Sequence, residues 1–332
     1  MKTFFLAFAF LLQSAHAIPE KDYAQVWQRD VLPYFTTGQQ RTFINSQGLK
    51  LNFYSFVKSE NTKTIVILPG RTEPAIKYAE LVYDFKDLKA NIYILDHQGQ
   101  GASERLLADS HKGYVKLFDN YIQDLSGWLN EVVIPETPAQ DRFLLAHSMG
   151  GTIATVYLAK GNTTFKKAIL SCPMLEINTK PYTESVGRLL TNVLVLAGQG
   201  KKYAPERGPY IAEADTFEKN ELTHSEARFD MTKALFVSQP ELALGGPTST
   251  WVDQALKTTK KIDALSTKIK IPLLMFQAGM DLIVQPARQD SFCGKSSSCK
   301  KIHFATSHHE ILQETDDIRN QALQLIKTFI NN

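Results

Sequence analysis

Apolar and polar positions divide this chain into short continuous runs and longer amphipathic segments. Thr64-Ile65-Val66-Ile67-Leu68, Ile92-Tyr93-Ile94-Leu95, Phe143-Leu144-Leu145 and Ala168-Ile169-Leu170 are continuous apolar runs. Runs of that length suit parallel strands buried on both faces. Between them, 77–90 (Leu81, Val82, Phe85 and Leu88 inward), 114–133 and 152–159 read as helices. The alternation predicts a mostly parallel sheet flanked by helices, with right-handed crossovers. Residues 20–37 read as a helix with Tyr23, Val26, Trp27, Val31 and Leu32 on one face. Residues 41–57 alternate loosely around Ser46-Gln47-Gly48, which predicts a hairpin.

The pattern changes after Pro173. Residues 174–250 carry helical stretches, with Val186–Ala197 apolar on most faces, but no strand signal. They read as a helical cap inserted between two core segments, 18–173 and 251–332. A set of long loops is the alternative. Strands return at Pro272–Gln277 and Lys301–Phe304. A closing helix follows over 314–330, with Ile318, Ala322, Leu325, Ile326 and Phe329 inward.

Composition narrows the class. The 332 residues are 43% hydrophobic and 21% charged, enough for one large core with an insertion. A formal net charge of +3 without a basic run gives nucleic-acid binding no electrostatic support. Met1–Ala17 differs from the rest. Lys2, the apolar stretch Phe4–Leu12 and the small-x-small end Ala15-His16-Ala17 have the form of a cleaved secretory leader. A mature chain starting near Ile18, in a periplasm or outside the cell, is the expectation. Cys293 and Cys299 flank a polar run and are expected to form a local disulfide in that compartment. Cys172, in an apolar strand, reads as a core thiol.

The candidate chemistry centres on Ala146-His147-Ser148-Met149-Gly150-Gly151, between an apolar run and a helical run. A serine among small residues on a strand-to-helix turn has the form of a nucleophile elbow in the α/β-hydrolase fold. Met149 N–H, at the helix start, is a candidate oxyanion donor. The second donor is expected from Arg71 N–H, on the loop after the Thr64–Leu68 strand. The Arg71 side chain could meet an anionic group on a substrate, or pair with Glu73, which is the preferred reading. Asp281 follows a predicted strand and is the best candidate acid. Asp96 lies upstream in a glycine-rich turn, and Asp253 lies on an amphipathic helix. His308 and His309 both follow the last strand, so spacing leaves the base open between them. The order Ser148, Asp281, His309 is that of the hydrolase fold. His147 is expected to point away as a packing or polar contact. No metal site is expected: His309-Glu310 begins a zinc pattern, but Gln313 breaks it. No cofactor is expected either, since no phosphate-binding glycine loop follows a strand; Asp96–Gly101 reads as a structural turn.

Several segments together resemble one family. These are Leu68-Pro69-Gly70-Arg71-Thr72-Glu73, Lys77-Tyr78-Ala79-Glu80-Leu81, Asp96–Gly101, Leu106–Asp109, Leu145–Gly151, Leu222–Ser225, Gly245–Thr248 with Trp251-Val252, and His309-Glu310-Ile311-Leu312. Over nearly the whole mature chain the sequence resembles the bacterial lysophospholipase L2 family, in the monoacylglycerol-lipase-like group of α/β hydrolases. The resemblance implies a Ser148-Asp281-His309 triad and favours His309 as base. It implies a helical cap that admits one acyl chain, with Leu190 and Leu194 as candidate lining residues. It implies a single-chain acyl lipid as substrate, lysophospholipid first, with transient membrane-surface contact. Monoacylglycerol or a short ester is the alternative substrate, and acyl transfer an alternative outcome. A silent lipid-binding protein is the non-enzyme alternative. Gln98 stands where that family commonly carries an arginine.

Overall fold

The computed structural model describes residues 18–332 apart from 139, 162–163 and 180. The expected leader, 1–17, lies outside the described residues. Eight strands form one sheet: β1 Gln39–Ile44, β2 Lys50–Phe56, β3 Lys63–Leu68, β4 Ala90–Leu95, β5 Asp141–His147, β6 Lys167–Ser171, β7 Leu273–Ala278 and β8 Cys299–Phe304. Their spatial order is β1-β2-β4-β3-β5-β6-β7-β8. The hairpin β1–β2 and the β2–β4 pair are antiparallel, and the pairs from β4 onward are parallel. The uninterrupted apolar runs explain this. Ile65 to Leu68, Leu144 to Ala146 and Ala168 to Leu170 are wholly buried, covered by helices on both sides.

Two helices are shorter than their patterns predict. The segment read as 77–90 is a 3₁₀ turn Ala75–Tyr78, a helix Ala79–Asp84 and a second 3₁₀ turn Lys86–Leu88. Lys89 then enters the left-handed region (φ 48°), which stops the helix and starts β4. The segment read as 114–133 becomes helical at Asp119. Val115 and Phe118 are buried in the core ahead of it, so their apolar spacing served packing and not a helix. At the C-terminus the helix Asp316–Asn331 also buries Leu323 and Ile330 beside Ala322 and Ile326.

Between β6 and β7 the described residues hold no strand. Helices Glu184–Leu196 and Glu226–Ser238 lie there, followed by Ser249–Thr259. The last of these straddles the expected boundary at 250. Thr248 caps it by accepting from Trp251 N–H at 3.3 Å, and Trp251 and Ala255 join the main core. No helix among the described residues is long and apolar enough to cross a membrane. Cys293 and Cys299 form the expected disulfide, tying the helix Pro286–Lys295 to β8. Closing so short a loop stabilises by about 2 kcal/mol. Cys172 is free and buried.

The elbow helix Met149–Ala159 approaches its neighbours as closely as backbone allows. A Cβ on Gly150 would stand 2.3 Å from Leu68 O, and one on Gly151 2.6 Å from Pro173 Cβ. Gly150→Ala is therefore expected to cost about 3 kcal/mol of stability. Urea unfolding followed by tryptophan fluorescence measures it; a loss near zero contradicts this packing.

Candidate active site

Ser148 sits between β5 and the elbow helix with φ 49° and ψ −115°, a conformation that side-chain-bearing residues rarely adopt. Backbone bonds hold it there. Ser148 N–H donates to Ser171 O at 3.1 Å, and Met174 N–H donates to Ser148 O at 2.9 Å. The turn lifts Oγ out of the sheet, where it lies 2.9 Å from His309 Nε2. His309 Nδ1–H donates to Asp281 Oδ2 at 2.7 Å. Asp281 Oδ1 accepts from Ile283 N–H (2.9 Å) and Val284 N–H (3.0 Å), which fixes the carboxylate plane. Burial pushes the Asp281 carboxyl up, but the His309 bond outweighs it and holds the carboxyl below its ordinary range. All three side chains are nearly buried.

The competing residues fall elsewhere. His308 turns to the ring of His224, 3.8 Å away, and its backbone N–H donates to Glu314. Asp96 is a buried clasp. It accepts from Ala75 N–H, Ala102 N–H and Asn52, and burial pushes its carboxyl to about 6. Asp253 pairs with Lys257 at 2.7 Å. His147 donates to Ser171 O at 3.0 Å, a polar contact as expected. Its ring nonetheless stays near, 4.8 Å from that of His309. Burial brings His147 down to about 4, so it is neutral near pH 7. Cys172 lies beside Asp281 and His309, and burial raises its thiol well above the ordinary range.

Met149 is the first residue of the elbow helix, so its N–H has no acceptor within that helix. The facing loop, Gly70–Glu73, turns through Thr72 at φ 69°. Here the expected Arg71–Glu73 pair is corrected. Glu73 turns back on its own loop: it accepts from Gly70 N–H and Tyr78 O–H, both at 2.6 Å, and meets Lys77 Nζ at 2.9 Å. A charged partner one helical turn away and a backbone donor within reach outcompete the arginine. Arg71 instead donates to Gly245 O at 2.6 Å and lies 5.2 Å from the Trp251 ring.

Sequence reasoning missed the groups that brace this loop. Lys77 also donates to Glu310 at 2.6 Å. Burial pushes Glu73 up, but the Lys77 charge and the Lys77 and Tyr78 hydrogen bonds outweigh it and leave it at about 2. His97 donates to Pro69 O (3.1 Å) and Gln100 to Gly70 O (2.7 Å), so the Asp96–Gly101 turn does hold the loop after β3. Gln98 donates to buried Asp124 at 2.5 Å, where an arginine would have supplied a counter-charge. The Glu73/Lys77 spacing was a usable signal; the link to Glu310, distant in sequence, was not. Ligand atoms of Glu73, His147 and Glu310 lie within 4.8 Å of one another, but Lys77 supplies the positive charge at that point.

A cavity of about 590 Å³ opens beside this loop. Arg71 and Thr72 form one wall, and segments 206–211, 219–223 and 244–247 form much of the rest. Ile283 and Glu310, neighbours in sequence of Asp281 and His309, also line it, while Ser148, Asp281 and His309 themselves do not. Leu190 and Leu194 are not among its lining residues; both are half-buried on the helix Glu184–Leu196. Their helix turns Gly187 and Thr191 inward, Gly187 toward Leu256 of Ser249–Thr259, while the 206–247 segment walls the cavity.

Strand order, elbow and the Ser–His–Asp array define the α/β-hydrolase class. The profile of a family described as serine aminopeptidase, S33, matches residues 59–316. Lysophospholipase L2 of Escherichia coli (strain K12) is 30% identical over 319 residues, covering 94% of this chain and 93% of that protein. The probable lysophospholipase L2 of Haemophilus influenzae is also 30% identical, over 95% of this chain and 99% of its own. A solved structure of a soluble monoglyceride lipase variant from Saccharomyces cerevisiae shares the fold. Its TM-score is 0.70 at 16% identity, over 89% of this chain and 94% of its own. The chain belongs to the S33 serine hydrolase family and is similar along nearly its whole length to the lysophospholipase L2 proteins.

Glu73→Ala removes the acceptor that closes the Gly70–Glu73 loop. It is expected to lower kcat roughly 100-fold, with KM changed less than about threefold. Glu73→Gln, which keeps an acceptor for Gly70 N–H, should recover part of the loss. Steady-state kinetics on a soluble ester decides; a change confined to KM contradicts the positioning role.

Proposed function

We propose that the protein hydrolyses the acyl ester of lysophospholipids through an acyl-enzyme. The observation that carries this reading is the continuous relay from Ser148 Oγ through His309 to Asp281. Ser148 attacks the acyl carbonyl while His309 Nε2 takes its proton. Asp281 holds the ring and stabilises the imidazolium. Met149 N–H and Arg71 N–H face the oxyanion, whose charge grows as the carbonyl becomes tetrahedral. His309 returns the proton to the leaving alcohol, and water then releases the fatty acid by the same steps in reverse roles.

The similarity to lysophospholipase L2 proteins supports a phospholipid-derived substrate. A monoacylglycerol is the second reading, supported by the monoglyceride lipase fold neighbour. Peptide hydrolysis has less support, because Glu73 and Glu310 already share Lys77 and offer no free acidic pair for a substrate's amino terminus. Residues 174–250 act as the cap in this reading. Its helix Glu184–Leu196 exposes Val186, Leu189, Val193 and Leu196, the last two turns ending with Leu196 at 80% exposure. That spacing is one helical stripe, which supports brief contact with a lipid surface. The Met1–Ala17 pattern and the Cys293–Cys299 disulfide support a secreted or periplasmic location.

Fatty-acid release by residues 18–332 tests the substrate class. Lysophosphatidylethanolamine is expected to be cleaved faster than monoacylglycerol or a short chromogenic ester, with Ser148→Ala reduced at least about 1000-fold. Cleavage of the short ester alone contradicts the lipid assignment. Leu189→Asp with Val193→Asp is expected to slow hydrolysis of vesicle-borne substrate several-fold more than that of a dissolved ester. Equal effects in vesicle and solution assays contradict the surface-contact role.

A further inference from the structure

The Arg71 guanidinium is enclosed without a counter-charge. Its Nη2 has Gly245 O and its plane lies near Trp251, but its Nε is buried with no acceptor. Neighbouring cations differ. Lys77 is matched by Glu73 and Glu310, and Arg228 by Glu80 and Asp316. Among the described residues no carboxylate lies within ion-pair distance of Arg71. Burial, with the like charge of Arg207 adding to it, brings Arg71 down to about 10. Leaving a partly buried charge unmatched is unfavourable, and a carbonyl and an indole face offset that only in part. The fold nevertheless keeps room for the group. A Cβ on Gly113 would stand 2.4 Å from Nη2.

We propose that Arg71, with Arg207 nearby, forms an anion subsite for the phosphate of the substrate headgroup. The proposal rests on the lysophospholipid reading above. Both arginines line the cavity beside the Gly70–Glu73 loop. One residue then serves both ends of the glycerol unit. Its backbone N–H faces the ester oxyanion, and its guanidinium faces the phosphate. A glycerol spacer separates ester carbon from phosphorus by roughly 7 Å when extended, within the reach of an arginine side chain from its own amide. Guanidinium binds phosphate through paired N–H donors, and Nε, buried without an acceptor, leaves the group's bonding capacity unmet. A monoacylglycerol brings only a hydroxyl to this position and leaves Arg71 unmatched. Arg71 is thus the specificity-determining side chain for phosphate-bearing substrates.

The test compares kcat/KM on lysophosphatidylglycerol and on the monoacylglycerol of the same acyl chain, in wild type, Arg71→Met and Arg71→Lys. The ratio of the two is expected to fall about 30-fold in Arg71→Met and to recover partly in Arg71→Lys. A second arm measures inhibition of short-ester hydrolysis by glycerol 3-phosphate. It should be competitive in wild type and weakened about tenfold in Arg71→Met. Arg207→Ala, at an exposed position, should move both readouts the same way by about threefold even where an Arg71 variant fails to fold. An unchanged ratio overturns the headgroup assignment, whether or not inhibition weakens. Equal losses on both lipids also overturn it and leave Arg71 a brace for Gly245. If wild type cleaves monoacylglycerol but not lysophospholipid, the substrate reading fails, and the inhibition arm still decides the anion subsite.

Discussion

The close approach of the elbow helix to the two loops beside it is the constraint on which the rest depends. Gly150 lies against the carbonyls of Leu68 and Pro69, and Gly151 lies against Pro173. The helix is thus gripped between the loop after β3 and the loop after β6. That grip forces Ser148 into a left-handed conformation, at a cost of order 1–3 kcal/mol. The strain raises Oγ toward His309. The same approach sets the first turn of the helix against the start of the loop after β3. The position of Ser148 therefore follows from one packing contact.

Buried ions carry that order outward. Lys77 joins Glu73, which closes the loop, to Glu310, the residue after His309. Arg228 and Arg319 meet on Glu80, and Arg228 reaches Asp316 and Ile18 O. The segment between β6 and β7 docks on the same region, with Glu310 N–H donating to Leu222 O and Thr223 to Gln313 O. Such buried pairs add little net stability over an apolar core, but removing one partner leaves a charge stranded. Their use here is positional. They lock the residues flanking His309 to the loop after β3.

The elbow and the triad were legible because each depends on local signals: small residues around Ser148, and an acid and a histidine at strand ends. The sheet was legible from runs buried on both faces. Three features were not. The Arg71 partner was hidden because Glu73 turns to Gly70 N–H, Tyr78 and Lys77, although Arg71 lies nearer in the chain. The Lys77–Glu310 bond joins residues at opposite ends of the sequence, which periodicity cannot see. The cavity lining followed irregular segments between 206 and 247, whereas the strong helical pattern at 186–197 drew attention to Leu190 and Leu194. Irregular backbone leaves no period to read.

The central claim is that Ser148 is activated by His309 and Asp281. The most direct measurement is covalent labelling by a fluorophosphonate, with the modified residue located by peptide mass spectrometry. The account predicts a single adduct on Ser148, with the labelling rate cut at least about 100-fold in His309→Ala and less severely in Asp281→Asn. Labelling at another residue, or a rate on Ser148 indifferent to both substitutions, would contradict it.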